Sequence, residues 1–196
     1  MMNVLLLVTA YLIGNFSPAF FLGKVMAGID IREHGSGNAG TTNVIRILGT
    51  KAGIAVLVMD ILKGALAVYL GRRFGSEGLA VFAGVMVVAG HNWPALMKFK
   101  GGKGAATTVG VGLALNAPFT LICFAIGLII VAATKYVSLA SISVMPIWTI
   151  LVLVWGSESM HIYLGVILSL LSLYQHRRNI VRLINGSENK ISFKKK

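Results

Sequence analysis

Six long apolar runs constrain the possible folds of this chain more than any other feature of its sequence. A helix needs roughly 20 mainly apolar residues to cross the hydrocarbon core of a bilayer, which is about 30 Å thick. Because 56% of the residues are hydrophobic and only 12% are charged, we expect an all-α, polytopic membrane protein. The runs lie near residues 4–26, 52–71, 79–97, 105–134, 137–155 and 160–174.

The fourth run predicts two helices instead of one. It is interrupted by Asn116-Ala117-Pro118, a turn signal with a residue that breaks helices. The division gives seven transmembrane segments, of which residues 105–115 form the shortest. That segment reaches only about half of the apolar thickness, so a re-entrant or half-buried segment is an alternative to a full crossing.

The distribution of Lys and Arg favours seven segments over six, because cytoplasmic loops collect basic residues. With seven segments and the N-terminus outside, fifteen of the eighteen Lys and Arg lie on the cytoplasmic side. Arg72 and Arg73 then lie outside, and Lys63 lies within a segment. We therefore predict one integral membrane domain over residues 1–196, with a basic cytoplasmic tail at 187–196.

Charge and cysteine content narrow the classes of partner and chemistry. The formal net charge of +12 indicates an anionic partner such as lipid headgroups, a phosphorylated substrate or nucleic acid, and the apolar segments disfavour nucleic acid. The single cysteine, Cys123, lies in an apolar run, so neither a disulfide nor thiol catalysis is expected. The first run has no basic stretch before it and no cleavage motif after it, so we expect a retained transmembrane helix.

The stretch 35-GSGNAGTTN-43 is a candidate anion-binding loop. Three glycines within six residues permit positive φ angles, which let backbone N–H groups converge on an anion. Thr41 or Thr42 could cap a following helix, and Arg46 would then project near the same loop with a planar fork for phosphate. The alternative is a flexible connector, and the pattern alone does not decide between the two.

The stretch 98-KFKGGKGAATTVG-110 is a second candidate. Three lysines surround a glycine run that leads into an apolar helix with Thr107 and Thr108 in its first turn, and a helix N-terminus favours anions. It is not a Walker loop, because Gly104 stands where Ser or Thr would hold magnesium. The alternative is a hairpin whose lysines only fix the membrane topology. Membrane topology depends on positive charge and does not require glycine, so the three glycines argue against this alternative.

The stretch 174-YQHRRNIVRLING-186 follows the last apolar run. A helix that continued through it would place His176, Asn179 and Arg182 on one side. An interfacial anchor for anionic lipid is the alternative, and we prefer it for Arg177, Arg178 and residues 194–196. In the seven-segment topology all three stretches lie on the cytoplasmic side, so a single cytoplasmic site is possible.

Ionisable residues inside the apolar runs have a structural interpretation. Asp60 and Lys63 are three residues apart on one predicted helix and can pair there. His91 and Asn92, near the end of the third run, are interpreted as loop-bracing groups, and His161 as incidental. The six Asp and Glu are scattered along the chain, so no carboxylate-rich metal site is predicted.

Several motifs together resemble one family. The strings GSGNAGTTNVIR, MDILKG, GHNWP with KFKGGKGAAT, KYVSLAS and QHRRNI occur in this order and are similar to the PlsY family of bacterial acyl-phosphate:glycerol-3-phosphate acyltransferases over nearly the whole chain. The resemblance implies transfer of a fatty acyl group from acyl phosphate to the 1-hydroxyl of glycerol 3-phosphate, without cofactor or metal. The implied partners are the two substrates and the lipid bilayer, with no nucleic acid and no obligate protein partner.

The resemblance also assigns roles to individual residues, and this chain departs from the family pattern at two positions. Arg178 stands where the family commonly has Glu, and Asn15 where it more often has Ser. Asp60, Lys63 and His91 are retained as structural residues. The resemblance gives catalytic roles to Ser36, Arg46, His176 and Asn179, and substrate-binding roles to Gly37, Asn38, Thr42, Asn43, Gly101, Gly102, Lys103, Gly104 and Ser141.

A protein nucleophile is not required by this chemistry. Acyl phosphate is already activated, so the enzyme mainly brings it to a hydroxyl and neutralises charge. The proton could pass to His176 or to a substrate phosphate oxygen, and the sequence does not decide. A non-catalytic carrier or channel for phosphorylated metabolites is the alternative function, although no clear internal repeat relates the two halves.

Overall fold

The computed structural model describes residues 1–155 and 159–192. In these residues the secondary structure is entirely helical, which confirms the predicted all-α class. Two short 3-10 turns, Ile31–Glu33 and Ala95–Met97, lie between helices. The α-helices are α1 Met2–Asn15, α2 Pro18–Ala27, α3 Thr41–Leu48, α4 Thr50–Phe74, α5 Glu77–Asn92, α6 Ala105–Leu115, α7 Ala117–Thr134, α8 Val137–Val154, α9 Ser159–Gln175 and α10 Arg177–Ile184.

Within residues 1–155 and 159–192, five stretches are long and apolar enough to cross a membrane. Two further apolar helices are shorter, α6 with 11 residues and α9 with 17. The helical architecture with several candidate spans is confirmed, and the count of seven spans and the orientation of the termini stay predictions. The five stretches are Met2–Ala27, Thr50–Phe74, Glu77–Met97, Ala117–Thr134 and Val137–Val154.

The first candidate span is broken in its middle, although the sequence had predicted one continuous helix there. α1 ends at Asn15 and α2 begins at Pro18, because proline lacks the N–H that helix interiors require and is favoured in the first turn. The Ser17 hydroxyl accepts a hydrogen bond from Phe20 N at 3.3 Å and caps α2. The break frees backbone carbonyls of α1 inside an apolar stretch.

The predicted break in the fourth run is confirmed. α6 ends at Leu115 and α7 begins at Ala117. Asn116 Oδ1 accepts a hydrogen bond from Phe119 N at 3.2 Å, so the residue acts as the N-cap of α7. Pro118 occupies the first turn of that helix, where its missing N–H costs nothing.

The chain divides into two compact units, residues 1–111 and 112–191; the prediction of a single domain stays a prediction. In the first unit α1 and α5 approach closely at Gly14 and Gly90. A Cβ built on either glycine would collide with the backbone of the other helix, so neither position has room for a side chain. In the second unit, Trp148 Nε1 of α8 donates to Thr120 Oγ1 of α7 at 3.1 Å. Close contacts between small residues are typical of helices that pack within membranes.

Asp60 and Lys63 form the predicted ion pair on α4, with Lys63 Nζ 2.7 Å from Asp60 Oδ1. Lys63 Nζ also donates to the Phe16 carbonyl at 2.8 Å, which lies at the break after α1. The same nitrogen is 2.8 Å from His91 Nδ1 of α5. The cluster therefore connects three helical segments of the first unit and supplies a partner for a carbonyl that the break exposes.

Candidate active site

Asn43 organises the loop that precedes α3. Its side chain is 1% exposed, and its Nδ2 donates to the carbonyls of Ile31 and His34 at 3.0 and 2.9 Å. Its Oδ1 accepts a hydrogen bond from Ser36 N at 2.9 Å. Three hydrogen bonds from one buried amide give the loop a defined shape, which the flexible-connector alternative does not predict. The predicted contact of Asn43 with substrate is untested, and its observed contacts are structural.

Two glycines of this loop have the positive φ angles that the sequence predicted. Gly35 and Gly37 have φ of 61° and 72°, whereas Gly40 is extended. The expected cap by Thr41 or Thr42 is wrong, because the N-cap of α3 is Gly40 and no side chain caps the helix. Thr41 and Thr42 fall inside the first turn of α3, one and two positions after the N-cap, so neither hydroxyl is placed to cap the helix.

Ser36 and Arg46, the catalytic candidates of this region, are both exposed. The Arg46 side chain makes no hydrogen bond or ion pair with any residue that the structure describes. Gly37 is also exposed, and Asn38 and Thr42 are partly exposed. The buried amide of Asn43 thus supports a loop whose candidate functional groups lie at the surface.

The second glycine stretch forms a tight connection between α5 and α6. Lys98 and Phe99 have φ of 56° and 59°, and Gly104 has φ of 78°. Gly102 N donates to the His91 carbonyl at 3.0 Å, and Thr108 N donates to the Gly104 carbonyl at 2.8 Å to open α6. The predicted position of glycines and Lys103 at a helix N-terminus is confirmed.

The two glycine stretches lie side by side in the first unit. A Cβ built on Gly102 would lie 2.8 Å from the Ala39 carbonyl oxygen, so this carbonyl packs against the Cα of Gly102. The structure therefore brings together two anion-binding candidates that are about 60 residues apart in the sequence. Arg46 and Lys103 add positive charge to this unit.

Arg32 connects the segment before the first glycine stretch to the turn that opens the second, and it was missed as a functional candidate. Its Nη1 donates to the carbonyls of Met97 and Lys100 at 3.0 and 3.3 Å. Its Nε and Nη2 donate to the Asp30 carboxylate at 3.0 and 2.7 Å. These hydrogen bonds hold the pKa of Asp30 below its ordinary value, and the carboxylate raises the pKa of Arg32. We call this arrangement the Arg32 clasp.

The third predicted stretch lies in the second unit and is linked to Ser141. His176 and Asn179 are 3% and 5% exposed. The continuing helix that the sequence analysis considered is interrupted at His176, because α9 ends at Gln175 and α10 begins at Arg177. His176 Nδ1 lies 2.9 Å from the Ser172 carbonyl, and Ser172 Oγ donates to the Ser141 carbonyl at 3.4 Å. Because a carbonyl only accepts, Nδ1 carries the proton and Nε2 is the acceptor of the neutral ring.

Comparison with known proteins identifies the family. A family model described as glycerol-3-phosphate acyltransferase matches residues 4–186. The chain belongs to the glycerol-3-phosphate acyltransferase family. The protein of that name from Alkaliphilus metalliredigens (strain QYMF) is 48% identical over 194 residues, which cover 99% of this chain and 98% of the relative. That of Clostridioides difficile (strain 630) is 45% identical over 201 residues, which cover 98% and 97%.

Two crystal structures of PlsY, an integral membrane glycerol 3-phosphate acyltransferase, are similar to this acyltransferase in fold and sequence. The glycerol 3-phosphate form is 35% identical, with a TM-score of 0.92 over 97% of this chain and 96% of that chain. The lysophosphatidic acid form is 34% identical, with a TM-score of 0.90 over the same shares. The resemblance to the PlsY family is therefore confirmed, and this acyltransferase is a multi-pass membrane protein.

Glu188 is a second residue of this acyltransferase that the sequence analysis missed, since it placed residue 188 in a basic tail. Its Oε1 accepts hydrogen bonds from Asn179 Nδ2 at 2.7 Å and Ser138 Oγ at 3.0 Å, and its Oε2 accepts from Arg182 Nε at 2.7 Å. Partial burial alone would raise the pKa of Glu188, but these hydrogen bonds together lower it. The first part of the predicted tail is thus ordered against α8, and residues 193–196 lie outside the described residues.

Replacement of Glu188 by alanine should destabilise the acyltransferase by about 1–3 kcal/mol, because it leaves buried polar groups without their partner. Since the folded pKa of Glu188 is lowered, its stabilisation is present near pH 7 and is lost as the pH falls below about 4. The measurement is thermal unfolding in detergent at pH 7 and pH 3.5. The difference between wild type and Glu188→Ala should shrink at the lower pH. Arg178→Gln, at an exposed position of α10, is the control, and an equal loss in both variants would contradict the prediction.

Proposed function

We propose that this acyltransferase moves a fatty acyl group from acyl phosphate to the 1-hydroxyl of glycerol 3-phosphate, giving lysophosphatidic acid and inorganic phosphate. The observation that carries the proposal is the pair of adjoining glycine loops in the first unit, at Ala39 and Gly102; the same unit carries Arg46 and Lys103. The solved relatives support it, because their two forms are a glycerol 3-phosphate form and a lysophosphatidic acid form.

The chemistry requires positioning and charge neutralisation. Acyl phosphate is a mixed anhydride, so attack by a substrate hydroxyl forms the new ester bond as the bond to phosphate breaks, without a covalent enzyme intermediate. Arg46 offers a planar fork that suits a phosphate group, and Lys103 offers a point charge. Ser36 can donate to the reacting phosphate from the loop that Asn43 supports. The N–H groups of Gly101 and Gly104 complete the anion site in this proposal. Gly102 N is held by the His91 carbonyl, and Gly102 contributes by letting the two loops approach.

The proton released by the attacking hydroxyl has two candidate acceptors. The His176 ring donates through Nδ1 to Ser172, which leaves Nε2 as an acceptor in the neutral form. A phosphate oxygen of the substrates is the other acceptor. The pH dependence of turnover in a His176→Gln protein separates them. If the ring is the base, the variant loses the fall in turnover at low pH that protonation of the ring causes, whereas transfer to a substrate phosphate leaves that fall in place.

The proposed topology has seven segments, with the N-terminus outside, the C-terminus cytoplasmic and the site facing the cytoplasm of a bacterial cell. The asymmetric distribution of basic residues supports it, as does the pair of shorter apolar helices, α6 and α9. Labelling of intact cells tests it with Arg73→Cys and Lys98→Cys in a Cys123→Ala background. A membrane-impermeant reagent should label only the first variant.

The deciding experiment measures phosphate release by purified protein given palmitoyl phosphate, with and without glycerol 3-phosphate. We expect release that depends on glycerol 3-phosphate, together with formation of lysophosphatidic acid. Palmitoyl-CoA in place of palmitoyl phosphate is the control for donor class, and it should support no turnover. Turnover with the thioester alone would contradict the proposed donor, and folded protein that is inactive with both donors would contradict the proposed reaction.

A further inference from the structure

A cluster of three ionisable side chains lies inside the first unit, beneath the second glycine loop. Asp60, Lys63 and His91 are 1%, 5% and 5% exposed. Lys63 Nζ lies 2.7 Å from Asp60 Oδ1 and 2.8 Å from His91 Nδ1. His91 Nδ1 is also 3.4 Å from Asp60 Oδ1. The three groups therefore form one connected network within an apolar helical packing.

Stability alone is a poor explanation for such a network. Replacement of a buried ion pair by apolar side chains of similar volume is often neutral or stabilising, because burial removes the charges from water. Ionisable groups inside membrane segments are therefore functional candidates until another role accounts for them. Lys63 has one structural role in its hydrogen bond to the Phe16 carbonyl. That role does not require His91.

His91 contacts the second glycine loop at two points. Its backbone carbonyl accepts the hydrogen bond of Gly102 N at 3.0 Å. Its ring lies against the same residue, because a Cβ built on Gly102 would collide with His91 Nε2. The Ala39 carbonyl packs against Gly102 as well. The position of Gly102 is thus set jointly by His91 and by the first glycine loop.

The network also fixes the orientation of the ring. A lysine ammonium has only donors, so its contact with Nδ1 makes that nitrogen the acceptor and places the ring proton on Nε2. The Asp60 carboxylate holds the ammonium in place from the same helix. Partners of this kind orient a functional side chain without contacting the ligand themselves.

We propose that Asp60, Lys63 and His91 act as positioning residues for the glycine loop 101–104, with the His91 ring as their contact to it. The inference rests on the proposed function, which assigns this loop to phosphate binding. The ring packs against Gly102 and so fixes the position of the loop backbone. In that position the other N–H groups of the loop converge on the phosphate. When the ring is lost the loop shifts, and the enzyme binds the phosphate of glycerol 3-phosphate less tightly, by the same amount in the ground state and in the transition state. KM for glycerol 3-phosphate therefore rises while kcat changes little.

The test is His91→Asn. Asparagine keeps an acceptor close to the position of Nδ1, so Lys63 remains satisfied, but it removes the ring contact with Gly102. We expect KM for glycerol 3-phosphate to rise about tenfold, which is the size of effect expected when about one hydrogen bond to the phosphate is lost. We expect kcat within about twofold of wild type, and a thermal unfolding transition that stays cooperative but lies at a lower temperature, because a buried ring is lost. A wild-type KM in folded His91→Asn overturns the proposal.

The matched control is His161→Asn. His161 is another buried histidine, 8% exposed, and it belongs to α9 of the second unit. A general effect of removing a buried imidazole should alter both variants alike, whereas positioning of the glycine loop should alter only His91→Asn. Equal rises of KM in the two variants therefore count against the proposal.

A double-mutant cycle adds a second readout. Gly102→Ala directs a methyl group at both the His91 ring and the Ala39 carbonyl. The shorter side chain of His91→Asn relieves the first of these contacts and leaves the second. The KM increase of the double variant should therefore be smaller than the product of the two single increases, by about threefold or more. Simple multiplication of the two effects would overturn the proposed contact.

A second variant keeps the proposal testable if His91→Asn does not fold. Asp60→Asn preserves the shape of the carboxylate and removes its charge. The yield of folded protein should fall, because a buried ammonium loses its counter-charge, but KM does not depend on the folded fraction. KM should rise about threefold, because the ammonium holds the ring less firmly. An unchanged KM in that variant overturns the proposal. Absence of glycerol 3-phosphate-dependent turnover in wild-type protein contradicts the proposed function instead, so the two failures are distinguishable.

Discussion

Replacement of Arg46 by alanine should lower kcat/KM for glycerol 3-phosphate by about a hundredfold or more, which is typical for loss of a group that stabilises developing charge. Arg46 is exposed and has no partner among the residues that the structure describes, so its removal breaks no internal contact. Its planar fork can donate two parallel hydrogen bonds to a phosphate. The measurement is steady-state phosphate release with palmitoyl phosphate as donor, together with thermal unfolding.

Arg46→Lys separates geometry from charge, because lysine keeps the charge and loses the fork. Its activity should fall between wild type and Arg46→Ala. Ser36→Ala should lose activity on the same scale as Arg46→Ala, whereas Arg178→Gln and Lys195→Ala should change little. Lys195 lies outside the described residues. If Arg46→Ala retained the activity of Arg178→Gln, the assignment of Arg46 to the substrate phosphate would be wrong.

Loss of the Arg32 clasp should have the second largest effect. Arg32→Gln removes two hydrogen bonds to the carbonyls of Met97 and Lys100 and leaves Asp30 without its partner. The turn that leads into the glycine loop 101–104 can then shift, and kcat/KM should fall about ten- to a hundredfold. The measurement is the same steady-state assay, compared with Arg72→Gln. Arg72 is more exposed and pairs with Glu77 in a different turn.

The pH dependence of the clasp distinguishes it from a titrating catalytic group. The pKa of Asp30 is lowered and that of Arg32 is raised, so the pair is ionised throughout the neutral range. Its stabilisation is lost only as the pH falls below about 4 or rises above about 12. Arg32→Gln should therefore lower activity by the same factor from pH 5.5 to 9. A factor that changed with pH in that range would contradict the structural role of Arg32.

Local patterns in the sequence predicted the features that depend on near neighbours. The helix break at Asn116 followed from a turn signal and a proline within three residues, and the Asp60–Lys63 pair followed from helical spacing. The positive φ angles of Gly35 and Gly37 followed from the glycine pattern. The break between α1 and α2 carried a similar signal in Ser17-Pro18, but the length of the apolar run outweighed it.

Contacts between distant segments were not predictable in this way. Arg32 donates to backbone carbonyls about 65 residues later in the chain. Every residue has a backbone carbonyl, so the residue type of the acceptor gives no sign of such a hydrogen bond. Glu188 was assigned to a tail because basic residues surround it, although it is the single carboxylate after residue 158. That isolation among arginines was the available signal, since a lone carboxylate in a basic segment is a natural ion-pair partner.

The break between α1 and α2 has a consequence for how the protein is made. The first apolar stretch enters the membrane with carbonyls at its centre that lack a helical partner, and hydrocarbon offers none. Lys63, which donates to the Phe16 carbonyl, is synthesised only with the second apolar stretch. The first segment therefore reaches its final form as part of a helical pair, and a nascent chain that stopped before residue 63 would hold an incompletely satisfied helix in the bilayer.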